Sequence, residues 1–135
     1  MKEHSLSWWK KKADKYFSIM IRLRDADSNG TVRCITCGKP ENWKYVDAGH
    51  FQPRQHLFTR FDERNVNAQG KGCNNKDWNQ GEQYKHGLAI DIKFGKGTAT
   101  WLSDHRRDFV KYIIPDYQEM IEKYKAKIKE YQALL

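Results

Sequence analysis

Residues that could do metal and acid–base chemistry are concentrated between Asp47 and Asn75. The stretch contains a histidine, His50, then an isolated asparagine, Asn65, and then an asparagine directly after a cysteine, Asn74. A neutral imidazole with a pKa of about 6.5 can take a proton from water. An amide oxygen is a suitable ligand for a hard divalent cation. This ordered set of residues therefore predicts metal-assisted hydrolysis.

Each residue of the set is given a role. We expect His50 to be the general base, Asn74 to bind Mg²⁺ or Mn²⁺, and Asn65 to hydrogen-bond backbone across the loop and so fix the histidine. On a regular strand Asp47 shares the face of Gly49, which makes Asp47 a further candidate metal ligand. Taken singly, the same residues have structural interpretations: a structural histidine, a helix cap and a turn asparagine.

The cysteines predict a second metal site. Cys34 and Cys37 are spaced C-x-x-C and are followed by Gly38, which is typical of a zinc knuckle, and Cys73 lies further along the chain. The redox interpretation of C-x-x-C requires a thioredoxin-like βαβ pattern, which the sequence does not show. Three cysteines also argue against a disulfide framework, so we expect a reduced, cytoplasmic compartment.

The charge pattern predicts an anionic partner. The chain has 135 residues and a formal net charge of +8. Residues 1–24 contain seven Lys or Arg against two acids, whereas residues 116–135 contain four of each sign. Nucleic acid is the commonest partner of such a surface, although lysines can also simply solubilise a helix. The sequence contains no apolar run of about 18 residues and no apolar signal core, so we expect neither a membrane span nor export.

Helices and short strands must position these residues. The predicted elements are a helix from Ser7 to Arg24 with Ser7 as its N-cap, strands over 31–35 and 43–51, a basic loop over 52–61, a helix beginning after Cys73, a helix over 82–94 ended by Gly95, and a short strand over 98–102. The last third of the chain has an a/d-like apolar seam, which also offers a surface for a homodimer. Pro115 falls inside that seam and predicts a kink or a break.

The chain also resembles a known family over nearly its whole length. The residues that carry the resemblance are Arg22-Leu-Arg-Asp25, Cys34-Ile-Thr-Cys37-Gly38, Asp47-Ala-Gly-His-Phe51, Arg60-Phe-Asp-Glu-Arg-Asn-Val66, Gln69 and Cys73-Asn74. They resemble the NinG (Rap) recombination endonucleases of lambda-like phages, members of the HNH (ββα-metal) superfamily. The resemblance implies a structure-selective DNA endonuclease for branched recombination intermediates such as Holliday junctions and D-loops. It also implies a catalytic divalent metal, a structural zinc and a bacterial host cytoplasm.

The length of the chain predicts one domain over residues 1–135, and the expected fold class is α+β. An HNH ββα-metal core with a zinc-knuckle-like C-x-x-C would be flanked by an N-terminal amphipathic helix and a long C-terminal helix or kinked helix pair. The expected segments are a basic helix and turn (1–30), the knuckle and core (31–80), a helix and short strand (81–103) and a C-terminal helical segment (104–135). The residues expected to contact DNA are Lys10, Lys11, Lys12, Arg54, Arg60 and Arg64.

The sequence departs from the family pattern at Gly70, and at Gly49 it departs, as the family itself does, from the pattern of many HNH enzymes. Gly70 occupies the position of a zinc-ligand cysteine, which leaves Cys34, Cys37 and Cys73. Since a structural zinc usually has four protein ligands, water, a nearby histidine or loss of zinc could each account for Gly70. Gly49 stands where many HNH enzymes carry an aspartate ligand. A second hypothesis therefore stays open, that of a non-catalytic zinc-knuckle protein that binds DNA and assists recombination.

Overall fold

The computed structural model describes residues 3–75 and 80–135. Its elements are, in chain order, α1 (Leu6–Arg24), β1 (Thr31–Arg33), β2 (Pro40–Asn42), a 3-10 turn (Trp43–Tyr45), β3 (Asp47–His50), α2 (Leu57–Arg60), β4 (Val66–Gln69), a second 3-10 turn (Gln80–Glu82), α3 (Gln83–Phe94), α4 (Thr98–His105) and α5 (Ile114–Gln132). Helices and two small antiparallel sheets confirm the predicted α+β class. In the described ranges, no helix is both long enough and apolar enough to cross a membrane.

Helix α1 begins earlier than the sequence predicts. Its N-cap is Ser5, whose hydroxyl oxygen accepts the Trp8 N–H at 3.1 Å, so the prediction of Ser7 as the cap is wrong. The two added residues are held by aromatic packing, because the His4 ring stacks on Trp8 with centroids 3.5 Å apart. Both serines are good caps in isolation, and packing decides between them.

Helices α1 and α5 form most of the core. Their buried side chains are Ala13, Phe17, Met20, Ile21, Tyr117, Ile121 and Tyr124. The C-terminal seam thus packs against α1 within the same chain, and a homodimer would need another apolar surface. Burial of this apolar area is the main favourable term in folding.

Pro115 does not kink a helix, which corrects the sequence-based expectation. Helix α5 begins at Ile114, so Pro115 lies in its first turn, where a backbone N–H would have no intrahelical partner. The Asp116 carboxylate accepts the Ile113 N–H at 2.8 Å and caps the same end. Val110 precedes the helix and is not part of the seam.

Two hairpins present the candidate site residues. β1 pairs with β2, and β3 pairs with β4 in a register that sets Asp47 opposite Gln69 and His50 opposite Val66. Both predicted strands are shorter than expected. The chain leaves β1 at the knuckle, where Cys34 N–H donates to the Lys39 carbonyl at 3.0 Å. Residues 43–45 form a 3-10 turn, and β3 begins only at residue 47.

Residues 98–102 are helical, so the prediction of a strand there is wrong. The β-branched Thr98 and Thr100 favour a strand in isolation. In the structure, α3 ends at Gly95 as predicted, with φ +118°, and the Asp91 carboxylate then accepts the Ala99 N–H at 2.9 Å. Asp91 therefore caps the first turn of α4, and Leu102 is the buried residue of that helix.

Helix α3 exposes its apolar side chains. Tyr84, Leu88 and Ile92 share one face as predicted, but they are 80%, 50% and 87% exposed. The helix is anchored from its other side, where His86 and Ile90 are completely buried. The helix predicted directly after Cys73 reaches residues 76–79, which lie outside the described residues.

A polar network connects α1, β4 and α3. The Asp25 carboxylate accepts hydrogen bonds from Arg24 at 2.8 Å, Lys93 at 2.7 Å and the Ala68 N–H at 2.9 Å. Arg24 and Lys93 also donate to the Asn67 side-chain oxygen. Burial alone would raise the pKa of Asp25, but the hydrogen bond and charge of Arg24 and the charge of Lys93 hold that pKa below its usual range.

Replacing Asp25 by Asn should destabilise the fold. The change leaves two partly buried cations without their counter-ion, which typically costs about 3 kcal/mol. Urea unfolding of Asp25→Asn measures the loss. The control is Glu122→Gln, whose carboxylate is 77% exposed and 3.7 Å from Lys125, and which should change the unfolding free energy by less than about 0.5 kcal/mol. Equal, small effects of the two changes would contradict the structural role of Asp25.

Candidate active site and metal centre

His50 lies at the end of β3 and is held in one tautomer. Its Nε2 atom is 3.0 Å from the Arg60 carbonyl oxygen. Because a carbonyl can only accept, Nε2 must carry the proton and Nδ1 must be the unprotonated nitrogen of the neutral ring. The ring therefore presents a base at Nδ1, and its orientation depends on the position of the Arg60 carbonyl.

The surroundings of His50 keep the ring neutral. Burial lowers the pKa of His50 most, and the charge of Arg54 lowers it further. The hydrogen bond to the Arg60 carbonyl and the charge of Asp14 act in the opposite direction, and the resulting pKa is about 4. At neutral pH His50 is therefore in the form that can accept a proton.

Asn65 closes the loop that carries the Arg60 carbonyl. Its side chain is completely buried. The amide oxygen accepts the Gln52 N–H at 2.8 Å, while the amide nitrogen donates to the carbonyls of Gln52 and Thr59, each at 3.1 Å. Asn65 thus hydrogen-bonds backbone across the loop, as the sequence analysis expects, and fixes the residue next to Arg60.

Arg60 ties the same loop to α1. Its guanidinium forms two hydrogen bonds to the Asp14 carboxylate, at 3.0 and 2.5 Å, and a third to the Arg54 carbonyl at 3.0 Å. Both members of the Arg60–Asp14 pair are largely buried. The guanidinium that was expected to contact DNA is therefore committed within the chain, where it positions the loop.

Asp47 and Asn74, the two candidate metal ligands, are in contact. The Asn74 amide nitrogen donates to Asp47 Oδ2 at 3.0 Å, and Lys71 Nζ lies 2.7 Å from Oδ1. Burial would raise the pKa of Asp47, but the hydrogen bonds from Lys71 and Asn74 outweigh it and hold the pKa below its usual range. Carboxylate and amide oxygens suit Mg²⁺ or Mn²⁺, so this pair could hold such an ion.

A polar cavity of about 410 Å³ surrounds this pair of residues. Its lining residues are Ser18, Arg22, Lys44, Val46, Asp47, Ala48, Arg54, Lys71 and Asn74. Four of them are cations and one is an acid, so the cavity favours an anion such as a phosphate. His50 is not among the lining residues, and Arg54 is the link between them because it both lines the cavity and lowers the pKa of His50.

Gly49 has a packing reason to be glycine. A Cβ atom at this position would lie 2.1 Å from the side-chain oxygen of Gln69, which belongs to the neighbouring strand β4 and pairs with Asp47 two residues earlier. An aspartate ligand at position 49 therefore has no room while Gln69 is present. Asp47, two residues earlier on β3, is the acid that remains available.

The three cysteines form one cluster. The sulfur atoms of Cys34, Cys37 and Cys73 all lie within 4.8 Å of one another. Burial opposes ionisation of Cys34, but hydrogen bonds from the Thr36 hydroxyl and from backbone N–H groups, that of Gly70 among them, lower its pKa to about 7. A thiol poised to ionise beside two others fits a zinc ion, so the cluster could hold one.

Gly70 leaves room beside the cluster. A Cβ atom at Gly70 would lie 3.8 Å from the Cys34 sulfur, in ordinary van der Waals contact. The Thr36 hydroxyl lies 3.3 Å from that sulfur and also accepts a hydrogen bond from Gln69 at 3.3 Å. Within the described residues, the thiol set therefore has three members, and position 70 has space for a fourth.

Several residues of the site were not predicted. They are Asp14, Arg22, Thr36, Lys44 and Lys71. Arg22 and Thr36 belong to stretches that carry the family resemblance, which is the signal that could have found them. Asp14, Lys44 and Lys71 depend on contacts between distant parts of the chain. Among the residues expected to bind DNA, Lys11 and Arg54 are exposed, whereas Arg64 pairs with Asp62 at 2.8 Å.

Comparisons with known proteins define the family. A family model described as "NinG: Bacteriophage Lambda NinG protein" matches residues 1–133. The chain is 28% identical over 126 residues to Protein ninG of Escherichia phage 933W, covering 92% of this chain and 58% of that protein. It is 29% identical over 123 residues to Protein ninG of Salmonella phage P22, covering 86% and 57%. No solved structure matches the chain.

Fold and site thus describe an α+β protein with a three-cysteine cluster that could hold a metal ion. Because the family model covers nearly all of the sequence, the chain belongs to the NinG family of bacteriophage lambda. It is also 27% identical to Protein ninG of Escherichia phage lambda over 126 residues. The chain spans less than three fifths of the length of these relatives, at 57–58% of each.

The two buried histidines should make stability depend on pH. Burial lowers the pKa of both His50 and His86 to about 4. Unfolded histidines have a pKa of about 6.5, so between pH 6.5 and 4 the unfolded chain binds protons that the folded chain does not. The unfolding free energy should therefore fall as pH falls, by up to about 1.4 kcal/mol per pH unit for each histidine.

Urea unfolding at pH 7, 6 and 5 measures this slope. His86→Phe removes one of the two protons and should make the slope shallower by about one proton, whatever its effect on absolute stability. Replacement of the exposed His4 by Phe should leave the slope unchanged. Parallel slopes for wild type and His86→Phe would contradict a neutral, buried His86.

Gly70→Cys should strengthen zinc binding. Positions 70 and 73 repeat the spacing of Cys34 and Cys37, and the space beside the Cys34 sulfur accepts the new side chain. Four thiolates hold zinc more tightly than three ligands and water, and structural zinc contributes directly to folding. Thermal melting during a chelator titration, with zinc measured by elemental analysis, should show tighter retention by the variant. The matched control is Gly72→Cys, which should gain nothing.

The same titration distinguishes three states of the wild-type cluster. Full zinc retention by wild type equal to that of Gly70→Cys would mean that another group already supplies the fourth ligand. A wild-type melting temperature that ignores chelator, with a sensitive one for Gly70→Cys, would mean that Gly70 marks a lost zinc site. Intermediate retention is the result expected for three thiolates.

Proposed function

We propose that the chain is a metal-dependent DNA endonuclease of the HNH type. The observation that carries the proposal is the geometry of His50. Its Nε2–H bonds to the Arg60 carbonyl, its Nδ1 is left as a base, and its strand also carries Asp47, which contacts Asn74. A fixed neutral imidazole near a cationic, carboxylate-containing cavity suits hydrolysis of a phosphodiester.

Each residue of the candidate site has a separate role in the proposed reaction. The Nδ1 atom of His50 accepts a proton from water, and Asn65 maintains the loop that orients the ring. Arg22, Lys71 and Arg54 attract the phosphate into the cavity, since opposite charge is concentrated there.

Asp47 and Asn74 are the residues that would hold Mg²⁺ or Mn²⁺. The amide of Asn74 must rotate to offer its oxygen, because its nitrogen now points to Asp47. When bound, such an ion supplies charge neutralisation at the leaving oxygen. Cys34, Cys37 and Cys73 would hold the structural zinc.

The proposed substrate is branched DNA. The family resemblance implies recombination intermediates such as Holliday junctions and D-loops, in the cytoplasm of a phage-infected bacterium. The exposed Lys11, the neighbouring Lys10 and Lys12, and Arg54 supply cations for sequence-independent phosphate contacts. The match spans 58% of the length of Protein ninG of Escherichia phage 933W, and the proposed branch selectivity rests on the family resemblance.

A second function is favoured by one observation. A pKa of about 4 makes His50 a weak base, and its ring is hydrogen-bonded as a structural histidine would be. The chain would then be a non-catalytic, zinc-knuckle protein that binds DNA and assists recombination. The two functions differ in whether DNA is cut when Mg²⁺ or Mn²⁺ is added.

His50→Ala should abolish cleavage of a labelled synthetic junction while DNA binding stays nearly intact. Removal of a general base typically lowers the rate by about 10²–10⁴. The matched control is His56→Ala, which removes a histidine from the same loop and should cut within threefold of wild type. Asn74→Ala should also lose cleavage, and higher Mn²⁺ should partly restore it without restoring His50→Ala.

Retention of cleavage by His50→Ala would remove His50 from the catalytic role. Absence of any cleavage by wild type with either metal, together with normal junction binding, would favour the accessory function. Rescue of both variants by metal would show that His50 acts through the metal site and is not the base.

A further inference from the structure

A second surface combines exposed aromatic rings with cations. It is formed by the end of α4 and the segment that follows. The rings of Trp101 and His105 stack with centroids 4.3 Å apart, and Phe58 packs beside both at 6.2 and 6.5 Å. We call this region the α4 surface, and it consists of Trp101, His105, Arg106, Arg107, Phe109 and Lys111.

Two of these rings are open to solvent. Trp101 is 38% exposed and Phe109 is 88% exposed. Phe109 lies in the segment 106–113, which forms neither helix nor strand. A single exposed apolar ring is common, but rings separated by cations are typical of surfaces that bind single-stranded nucleic acid, where bases stack on the rings and cations follow the backbone.

The charges of the surface also suit a polyanion. Arg107 and Lys111 are exposed. Of the two acids between residues 101 and 111, Asp108 is engaged by His105, whose Nδ1 lies 2.6 Å from the carboxylate, and Asp104 is exposed. Three Arg or Lys side chains thus stand against two acids, which leaves the surface with a net positive charge.

The α4 surface adjoins the loop of His50. Phe58 of the short helix α2 packs beside Trp101 and His105, and the charges of Arg106 and Arg107 lower the pKa of His56, the N-cap residue of α2. The last residue of α2, Arg60, supplies the carbonyl bonded to His50. A strand bound along α4 would therefore pass beside the loop that orients the proposed catalytic histidine.

A second contact joins the same two regions. The guanidinium carbon of Arg64 lies 4.5 Å from the centre of the Trp101 ring, and Asp62 holds that guanidinium with two hydrogen bonds. The loop that Asn65 closes and helix α4 are thus packed together through Arg64 and Trp101. The Trp101 ring is therefore held against the loop before any ligand binds.

We propose that the α4 surface binds an unpaired DNA strand, with bases stacked on Phe109 and on the part of the Trp101 ring that His105 and Arg64 leave exposed, and with phosphates contacted by Arg107 and Lys111. Only unpaired bases expose their faces to such rings. The inference rests on the proposed function for the choice of DNA, and it adds that the single-stranded part of a branched substrate is recognised here, apart from the cavity around Asp47.

The test is fluorescence anisotropy with three labelled ligands in buffer without Mg²⁺ or Mn²⁺. The ligands are a 20-residue oligothymidylate, an abasic strand with the same number of phosphates, and a 20-base-pair duplex. The double change Trp101→Ala and Phe109→Ala should weaken oligothymidylate binding by about 10-fold or more, since each stacked base contributes substantially. Binding of the abasic strand and the duplex should change by less than twofold.

Matched variants separate stacking from charge and from packing. Ile92→Ala removes an apolar side chain that is 87% exposed, almost as exposed as Phe109, and should leave all three affinities unchanged. Trp101→Phe keeps a ring and should retain oligothymidylate binding within threefold. Arg107→Gln with Lys111→Gln should weaken both single strands and flatten their salt dependence. Thermal melting checks that each variant is folded.

Equal losses for oligothymidylate and abasic strand in the ring variant would overturn the inference. Unchanged affinity for all three ligands would also overturn it and would point to a protein or a second copy of this chain on the α4 surface. The readout does not need cleavage. A chain that binds oligothymidylate through its rings but never cuts DNA would therefore sink the proposed function alone, whereas a nuclease insensitive to the ring changes would sink this inference alone.

Discussion

The buried amide of Asn65 is the interaction on which the site geometry depends. It joins the two ends of the loop over residues 52–65 by bonding the backbone of Gln52 and Thr59. The next residue after Thr59 is Arg60, whose carbonyl fixes the tautomer of His50. A loop of this length would otherwise sample many conformations, and ordering it costs conformational entropy. One side chain thus converts a flexible connection into a fixed acceptor.

The cysteine cluster is connected to the same hairpin by Gln69. Its amide nitrogen donates to the Thr36 hydroxyl at 3.3 Å and to the Gly81 carbonyl at 2.9 Å. Its side-chain oxygen packs over Gly49, immediately before His50. A metal ion at the cysteines would therefore stabilise the strand pair that carries the candidate base, although the two sites perform different chemistry.

The sequence predicts the elements that depend on local patterns. Helix α1 forms where the apolar periodicity predicts it, and a C-terminal helix is also formed. Helix α3 ends at the predicted glycine, Gly95. Prediction from the sequence fails where distant residues decide the outcome. Asp91 caps α4 from the preceding helix, and Pro115 is harmless because α5 begins one residue before it. Propensity alone cannot anticipate such tertiary contacts.

The candidate site likewise contains contacts that local sequence patterns predict and contacts that they do not. Asn65 hydrogen-bonds the backbone across its loop, as predicted from its place between the basic loop and the following strand. The Arg60–Asp14 pair spans 46 residues, and no local pattern indicates it. Position 49 is similar, since the reason for its glycine lies across the hairpin in Gln69. The roles of the candidate site residues in catalysis and in metal binding stay predictions until they are measured.

The proposed role of His50 as a fixed, neutral base is tested most directly by measuring the tautomer of its ring. Long-range proton–nitrogen NMR of the ¹⁵N-labelled protein at pH 6 distinguishes the two neutral forms of an imidazole from its charged form. We expect the wild-type ring to be neutral, with the proton on Nε2 and an unprotonated Nδ1. In Asn65→Ala we expect that single form to be lost. A wild-type ring protonated on Nδ1, or an imidazolium at pH 6, would contradict the proposed role.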